Sequence, residues 1–192
     1  MASVTEVGLI TADEFAELFG PDDRVELVHG KIVNRMAPDP FHGNMVGLLC
    51  QMFNEWAENH DDYWIYSESG TILNDSRTTV RCPDLAVMAF ADTPTPLERG
   101  KFARMTPVLV VEVLSLSESN SDRAQKKLDW FGDGLKQYWE VDLRNFSIRI
   151  EQPDGESQTF LESRAEIIRN PLELEGLTID LKRLFRMVKK LQ

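Results

Sequence analysis

The chain has 192 residues, 42% of them apolar and 28% charged, with a formal net charge of −11. That length suits one domain over 1–192 with a substantial core, and the charge excludes loose, nonspecific attraction to nucleic acid, so a nucleic-acid site must be a local basic or metal-bearing patch. The opening MASVTEVGLITADEF carries neither a basic segment nor an apolar core of signal-peptide length, and no apolar run approaches the ~20 residues of a membrane span, which implies a cytoplasmic protein with no membrane attachment.

Thr11 followed by Ala12, Asp13 and Glu14 is a capping-box arrangement, and Phe15, Leu18 and Phe19 supply one apolar face of a short helix that Gly20-Pro21 ends. RVELVHGKIVNRM then reads as two antiparallel strands around a His29-Gly30 turn, with Glu26 in the first strand. Met45, Leu48, Leu49, Met52, Phe53 and Trp56 recur at helical spacing and predict an amphipathic helix from about His42 to Glu58. Trp64 to Ser67 and Thr71 to Leu73 read as one strand broken at Gly70, NDSRTT as a turn, and Leu85 to Met88 as a buried strand entered through Pro83-Asp84. The proline-rich, mixed-charge segment from Ala91 to Pro107 is a surface loop. Cys50 and Cys82 show no metal-ligand spacing and read as reduced small apolar residues.

Val108 to Leu114 is a short β-branched run whose only charged member is Glu112, and the Ser and Asn residues after it start a helix running from about Ser119 to Gly132. FSIRIEQ and QTFLE form a hairpin turned at Asp154-Gly155, and Ile179 to Gln192 form a helix with Leu181, Leu184, Phe185, Val188 and Leu191 on one face. Trp130, Tyr138, Trp139 and that apolar helix face offer more large apolar surface than one sheet readily buries, which points to a homodimer, with core packing as the alternative explanation.

A carboxylate inside an apolar strand loses several kcal/mol of hydration unless a cation, hydrogen bonds or a proton compensates. Asp84 and Glu112, on successive strands, are the residue types that hold a hard divalent cation such as Mg²⁺, with Mn²⁺ as an alternative, and Lys126 on the next helix adds a cation able to orient a water. Such a set suits phosphodiester hydrolysis. The same residues also fit structural roles, with Asp84 in a turn, Glu112 at a solvated edge and Lys126 as the i,i+4 partner of Asp122, in which case Lys126 and Lys127 are interchangeable surface residues. If Lys126 serves a site, Lys127, about 100° further round the helix, faces solvent. No Gly-x-Ser-x-Gly elbow, phosphate-binding Gly-rich loop or HExxH helix is present.

VELVHGKIV, PDPFHG, RCPDLAV, VVEVLS and SDRAQKKLDWFGDGLKQYWEVD, in this order over Glu26 to Asp142, resemble the Uma-type restriction-endonuclease-like proteins, a branch of the PD-(D/E)xK nuclease superfamily. The resemblance implies an α/β (α+β) fold with a mixed central sheet flanked by helices, Asp84 and Glu112 as metal-binding acids, and Lys126 as the catalytic lysine in place of the superfamily position, here Leu114. It further implies that Glu26 and His42 contribute to the site. The chain departs from the pattern at His29, where an acid is usual, at Trp130, where a Tyr is usual, and at Gln137, where an acid is common. The function expected from the resemblance is that of a Mg²⁺-dependent DNA endonuclease of restriction type. The contrasting class is a noncatalytic dimeric nucleic-acid-binding or regulatory module that keeps the fold, which the acidic balance favours.

Overall fold

The computed structural model describes residues 9–73, 77–90, 97–115 and 118–191. The expected Asn74 turn and the first part of the expected loop after Phe90 fall in 74–76 and 91–96, outside the described residues. Helix α1 (Ala12–Leu18) carries its capping box as expected: the Glu14 amide donates to Thr11 Oγ1 at 3.2 Å, and the Thr11 amide donates to Glu14 Oε2 at 2.7 Å. Strands β1 (Val25–Val28) and β2 (Lys31–Asn34) pair antiparallel. Their two-residue turn places His29 and Gly30 at φ of 49° and 77°, the left-handed pair that matches the twist of a hairpin.

Helix α2 (Pro40–Ala57) starts two residues earlier than its apolar periodicity predicts, because Asp39 caps it and Pro40 occupies the first helical position. Strands β3 (Tyr63–Tyr66) and β4 (Thr71–Ile72) are not one interrupted strand but belong to different sheets. The chain swings between them through Glu68 at φ 51°, and a Cβ at Gly70 would lie 2.4 Å from the Phe102 ring, so only glycine lets the backbone pass there.

The remaining elements are β5 (Val80–Arg81), β6 (Leu85–Ala89), β7 (Leu109–Val113), α3 (Asn120–Gly132), β8 (Gln137–Asp142), β9 (Ser147–Glu151), β10 (Ser157–Leu161), β11 (Ile167–Arg169), β12 (Thr178–Asp180) and α4 (Leu181–Leu191). The small β11–β12 hairpin, not read from the sequence although Asn170-Pro171 marks a turn, takes Ile179 away from the helix expected to begin there.

A six-stranded sheet runs in the order β10-β9-β8-β7-β6-β3. Only β7 and β8 are parallel, and α3 makes the crossover that a parallel pair needs. Side-chain alternation splits the sheet into two faces. Leu85, Val87, Val111, Val113 and Trp139 pack with Leu49, Phe53, Leu184 and Phe185 of α2 and α4, whereas Ala86, Val110 and Tyr138 pack with Trp130 and Leu135 beneath α3. A second, antiparallel sheet, β2-β1-β5-β4, packs Leu27, Ile72 and Val80 against Phe15 of α1.

Trp130, Tyr138 and Trp139 are at most 1% exposed, and Leu181, Leu184, Phe185 and Val188 are equally sequestered. Two faces of the central sheet, each covered by helices, absorb the aromatic surface from which self-association was expected. Burial of these side chains within the fold removes the need for a partner to cover them, while Leu191, at the end of the same α4 face, stays 67% exposed. Among the described residues no helix is long and apolar enough to cross a membrane, and Cys50 and Cys82 are free, the latter buried.

Candidate active site

The pairing of β6 with β7 sets the two central carboxylates. Leu85 lies opposite Val111 and Val87 opposite Leu109, so the same register carried one residue further sets Asp84 opposite Glu112. Alternation then puts Glu112 on the Val110 side of β7, under α3. The Val113 amide donates to Asp84 Oδ2 at 2.7 Å and fixes that carboxylate. From α3, Lys126 Nζ donates to Glu112 Oε2 at 3.2 Å and sits 3.2 Å from Glu118 Oε1. Lys126 thus reaches across to the sheet rather than along its helix to Asp122, whose carboxylate accepts from Ser119 Oγ, the residue that caps α3. The second Glu112 oxygen, Oε1, is buried and has no hydrogen-bond partner among the described residues.

Burial pushes the Glu112 carboxyl up to about 8; Lys126 opposes the shift, and the negative charges of Asp84, Glu26 and Glu118 add to it. For Lys126, burial works against the charge but is outweighed by Glu112, Glu26, Glu118 and Asp84, so the ammonium holds its proton more tightly than an exposed lysine. Burial also opposes ionisation of Asp84, yet His42, the Val113 amide and Lys126 outweigh it and hold its carboxyl below the usual range. Burial and the neighbouring acids thus favour the neutral form at Glu112, whereas hydrogen bonding and nearby cations favour the ionised form at Asp84.

That difference has a measurable consequence. The folded protein keeps a proton on Glu112 that the unfolded chain releases above about 4.5. In chelator, this group's contribution to stability is complete below the unfolded pKa of 4.5 and is lost as pH rises through the folded value of about 8. His42, raised above 6.5 by Asp84 against the effect of burial, acts with the same sign, while Asp84 acts oppositely and loses its contribution as pH falls below 3.8. Thermal melts from pH 5 to 9 are expected to show a decline in wild type that flattens in Glu112→Gln; parallel slopes for the two proteins would contradict the assignment.

His42, expected as an accessory residue, is brought to the site: its Nε2 lies 3.2 Å from Asp84 Oδ1. This ion-pair contact to Asp84 is the polar partner that His42 Nε2 has among the described residues, at less than ideal hydrogen-bond geometry. Glu26 is placed differently. Arg81 Nη1 donates to Glu26 Oε2 and the Cys82 amide to Oε1, both at 2.9 Å, so both oxygens are already engaged. Arg81 Nε also donates to Asp129 Oδ2 at 2.9 Å, while Gln125 Nε2 donates to Asp129 Oδ1 at 2.8 Å and His29 Nε2 stands 3.1 Å from it. Glu26 therefore belongs to a buried ion cluster that fastens α3 to the second sheet. Lys127 does not face solvent: its Nζ lies 2.9 Å from Glu151 and 3.6 Å from Glu140, above the Tyr138 ring.

Glu68, Arg81, Glu118 and Asp129 were not singled out from the sequence. Arg81 carried a signal, since an arginine in a short buried strand needs carboxylate partners as much as Glu112 needs a cation. Glu68 carried none; it lies in a nonperiodic loop and reaches the site only through the left-handed turn at its own position.

The sequence profile of a family described as "Uma2: Putative restriction endonuclease" matches residues 12–182. A comparison with curated proteins finds no match. Among solved structures, the chain is similar to one titled "putative nuclease belonging to DUF820" from Anabaena variabilis ATCC 29413, at 21% identity over 93% of this chain and 99% of that one, with a TM-score of 0.79. That likeness shows a restriction-endonuclease-like α/β (α+β) fold, and the profile match over most of the chain shows that the protein belongs to the Uma2 family.

Proposed function

We propose that the protein is a metal-dependent DNA endonuclease of restriction type, hydrolysing phosphodiester bonds with Asp84, Glu112 and Lys126 as its catalytic residues, in the manner of the PD-(D/E)xK nucleases. The observation that carries this reading is the convergence of two buried carboxylates from adjacent strands with a buried lysine, where Glu112 Oε1 has no hydrogen-bond partner among the described residues. A buried acceptor left unpaired is costly, and a divalent cation satisfies it. The membership in a family described as a restriction endonuclease and the likeness to a nuclease fold support the same reading.

The donor set is all oxygen at Asp84 and Glu112, which suits Mg²⁺, with Mn²⁺ as an alternative. When bound, the ion would neutralise charge developing on the phosphoryl and leaving oxygens. Asp84, fixed by the Val113 amide, and Glu112 would hold it. Lys126, kept protonated by the acids around it, would orient the attacking water and meet negative charge as it builds on the phosphoryl oxygens. In the ion's absence Glu112 shares its proton-rich pocket with Lys126, which keeps two acids from repelling each other at close range.

The test is plasmid and oligonucleotide cleavage in Mg²⁺ or Mn²⁺. Wild type is expected to nick or cut the DNA, chelation to stop it, and Asp84→Ala to be inactive. Equal cleavage by wild type and Asp84→Ala would reject the assignment.

A further inference from the structure

We infer that the outer face of α4 is a DNA-anchoring surface, on which Lys182, Arg186 and Lys190 grip backbone phosphates away from the scissile bond. The inference rests on the reading above, which makes DNA the ligand. In a chain whose net charge is −11, the stretch from Lys182 to Lys190 carries Lys182, Arg183, Arg186, Lys189 and Lys190 and no acid. That is the local basic patch through which a protein of this overall charge can meet a polyanion.

Two of these cations are pinned by the fold and three are not. Arg183 Nη2 lies 3.7 Å from Glu55 Oε2, and Lys189 Nζ donates to Glu162 Oε2 at 2.7 Å above the Phe146 ring. Lys182, Arg186 and Lys190 are exposed and form no ion pair among the described residues. At about 100° per residue these three lie within about 80° of arc, with pinned Lys189 on one flank and pinned Arg183 on the other. The helical rise spreads them over about 12 Å, a length of duplex that presents about seven phosphates counting both strands.

Helix stability does not account for the charges. A helix N-terminus carries positive partial charge, and α4 has Asp180 there, accepting from the Arg183 amide at 3.1 Å. Lys182 and Arg183, in the first turn, oppose that dipole; only Lys189 and Lys190, in the last turn, gain from it. A membrane surface is also a poor occupant, because a helix that lies on lipid needs its apolar face, and Leu181, Leu184, Phe185 and Val188 are at most 1% exposed, packed in the core. Apart from Met187 and Leu191, what α4 shows to solvent is cationic. The patch also stands apart from the cleavage site. α4 and α3 cover opposite faces of the central sheet, and Arg183 meets Glu55, about 20 Å along α2 from His42. Its phosphate contacts would set the position of the duplex rather than read its sequence.

The experiment is binding of the full-length protein to a fluorescently labelled duplex oligonucleotide, followed by anisotropy in chelator from about 50 to 200 mM salt. Wild type is expected to bind, and Lys182→Gln/Arg186→Gln/Lys190→Gln to bind roughly tenfold or more weakly, with the slope of log affinity against log salt reduced by about 2.7. Each single substitution should reduce the slope by about 0.9, so the test does not depend on the triple variant folding. Lys31→Gln/Arg99→Gln/Lys136→Gln removes the same charge from exposed positions outside α4 and should keep the wild-type slope. In cleavage, the α4 variant should raise KM and leave kcat unchanged. No duplex binding by wild type, equal slopes for wild type and the α4 variants, or equal losses in the α4 and control triple variants would each overturn the inference. None of these touches the Asp84→Ala test, on which the nuclease reading stands or falls by itself. Binding lost through α4 in a protein that cleaves nothing would keep the anchor and reject the nuclease.

Discussion

Lys126→Ala is expected to lower the rate of DNA cleavage by about 10²–10³-fold with little change in KM, the loss typical of removing one preorganised donor from a developing anion. The lysine ammonium is buried beside Glu112, and an interaction that strengthens only as charge builds on the phosphoryl group appears in kcat rather than in substrate binding. Removing a positive charge 3.2 Å from the carboxylate proposed to hold the cation should leave cation affinity intact or increase it, so Mn²⁺ titration separates a catalytic loss from a metal loss. Lys127 is unsuitable as the control because it is bound between Glu140 and Glu151; the exposed Lys136 serves instead, and Lys136→Ala should cleave as wild type does. Equal rates for wild type and Lys126→Ala, where Asp84→Ala is inactive, would remove the lysine from the mechanism and leave the metal site standing.

Much of this site was legible because its residues violate local rules. A lone glutamate in a β-branched run and an aspartate at the mouth of a buried strand stand out against their apolar neighbours, and strand periodicity places both on one face once the register is known. The capping signals at Thr11 and Ser119 reproduce the helix starts because a cap is a local hydrogen bond between residues two or three apart, whereas the Asp39 cap, not read from the sequence, starts α2 two residues before its apolar periodicity does. What the sequence hid is nonlocal. β3 and β4 enter different sheets where the chain passes Gly70 against the Phe102 ring, thirty-two residues away in the chain, a contact that no local pattern announces. Lys127 looked solvent-facing from helix geometry alone, but β8 and β9 bring Glu140 and Glu151 beneath it. Glu26 likewise is a site acid only by the family resemblance, and the fold shows Arg81 occupying it.

Arg81 supplies the largest expected effect on folding. Its side chain is 7% exposed and stands between Glu26 and Asp129, themselves 8% and 4% exposed, so a single guanidinium compensates two buried acids from β1 and α3. Arg81→Met removes the compensation while keeping most of the volume, and breaking a buried ion pair from one side typically costs about 3–5 kcal/mol. Against the roughly 5–15 kcal/mol that holds an ordinary domain, this is a large share, visible as a clear drop in the urea midpoint. The cost arises from stranded carboxylates rather than from the lost attraction itself. Glu26→Gln and Asp129→Asn, added to Arg81→Met, should therefore restore much of the stability, and the three changes will not add. Asp129 lies three residues after Lys126 on α3, so Arg81→Met should also slow cleavage by loosening the helix that carries the lysine, and the neutral triple variant should recover stability more fully than rate. A change of less than about 0.5 kcal/mol in Arg81→Met, the range of an ordinary surface substitution, would show that the cluster does not fasten α3 to the second sheet.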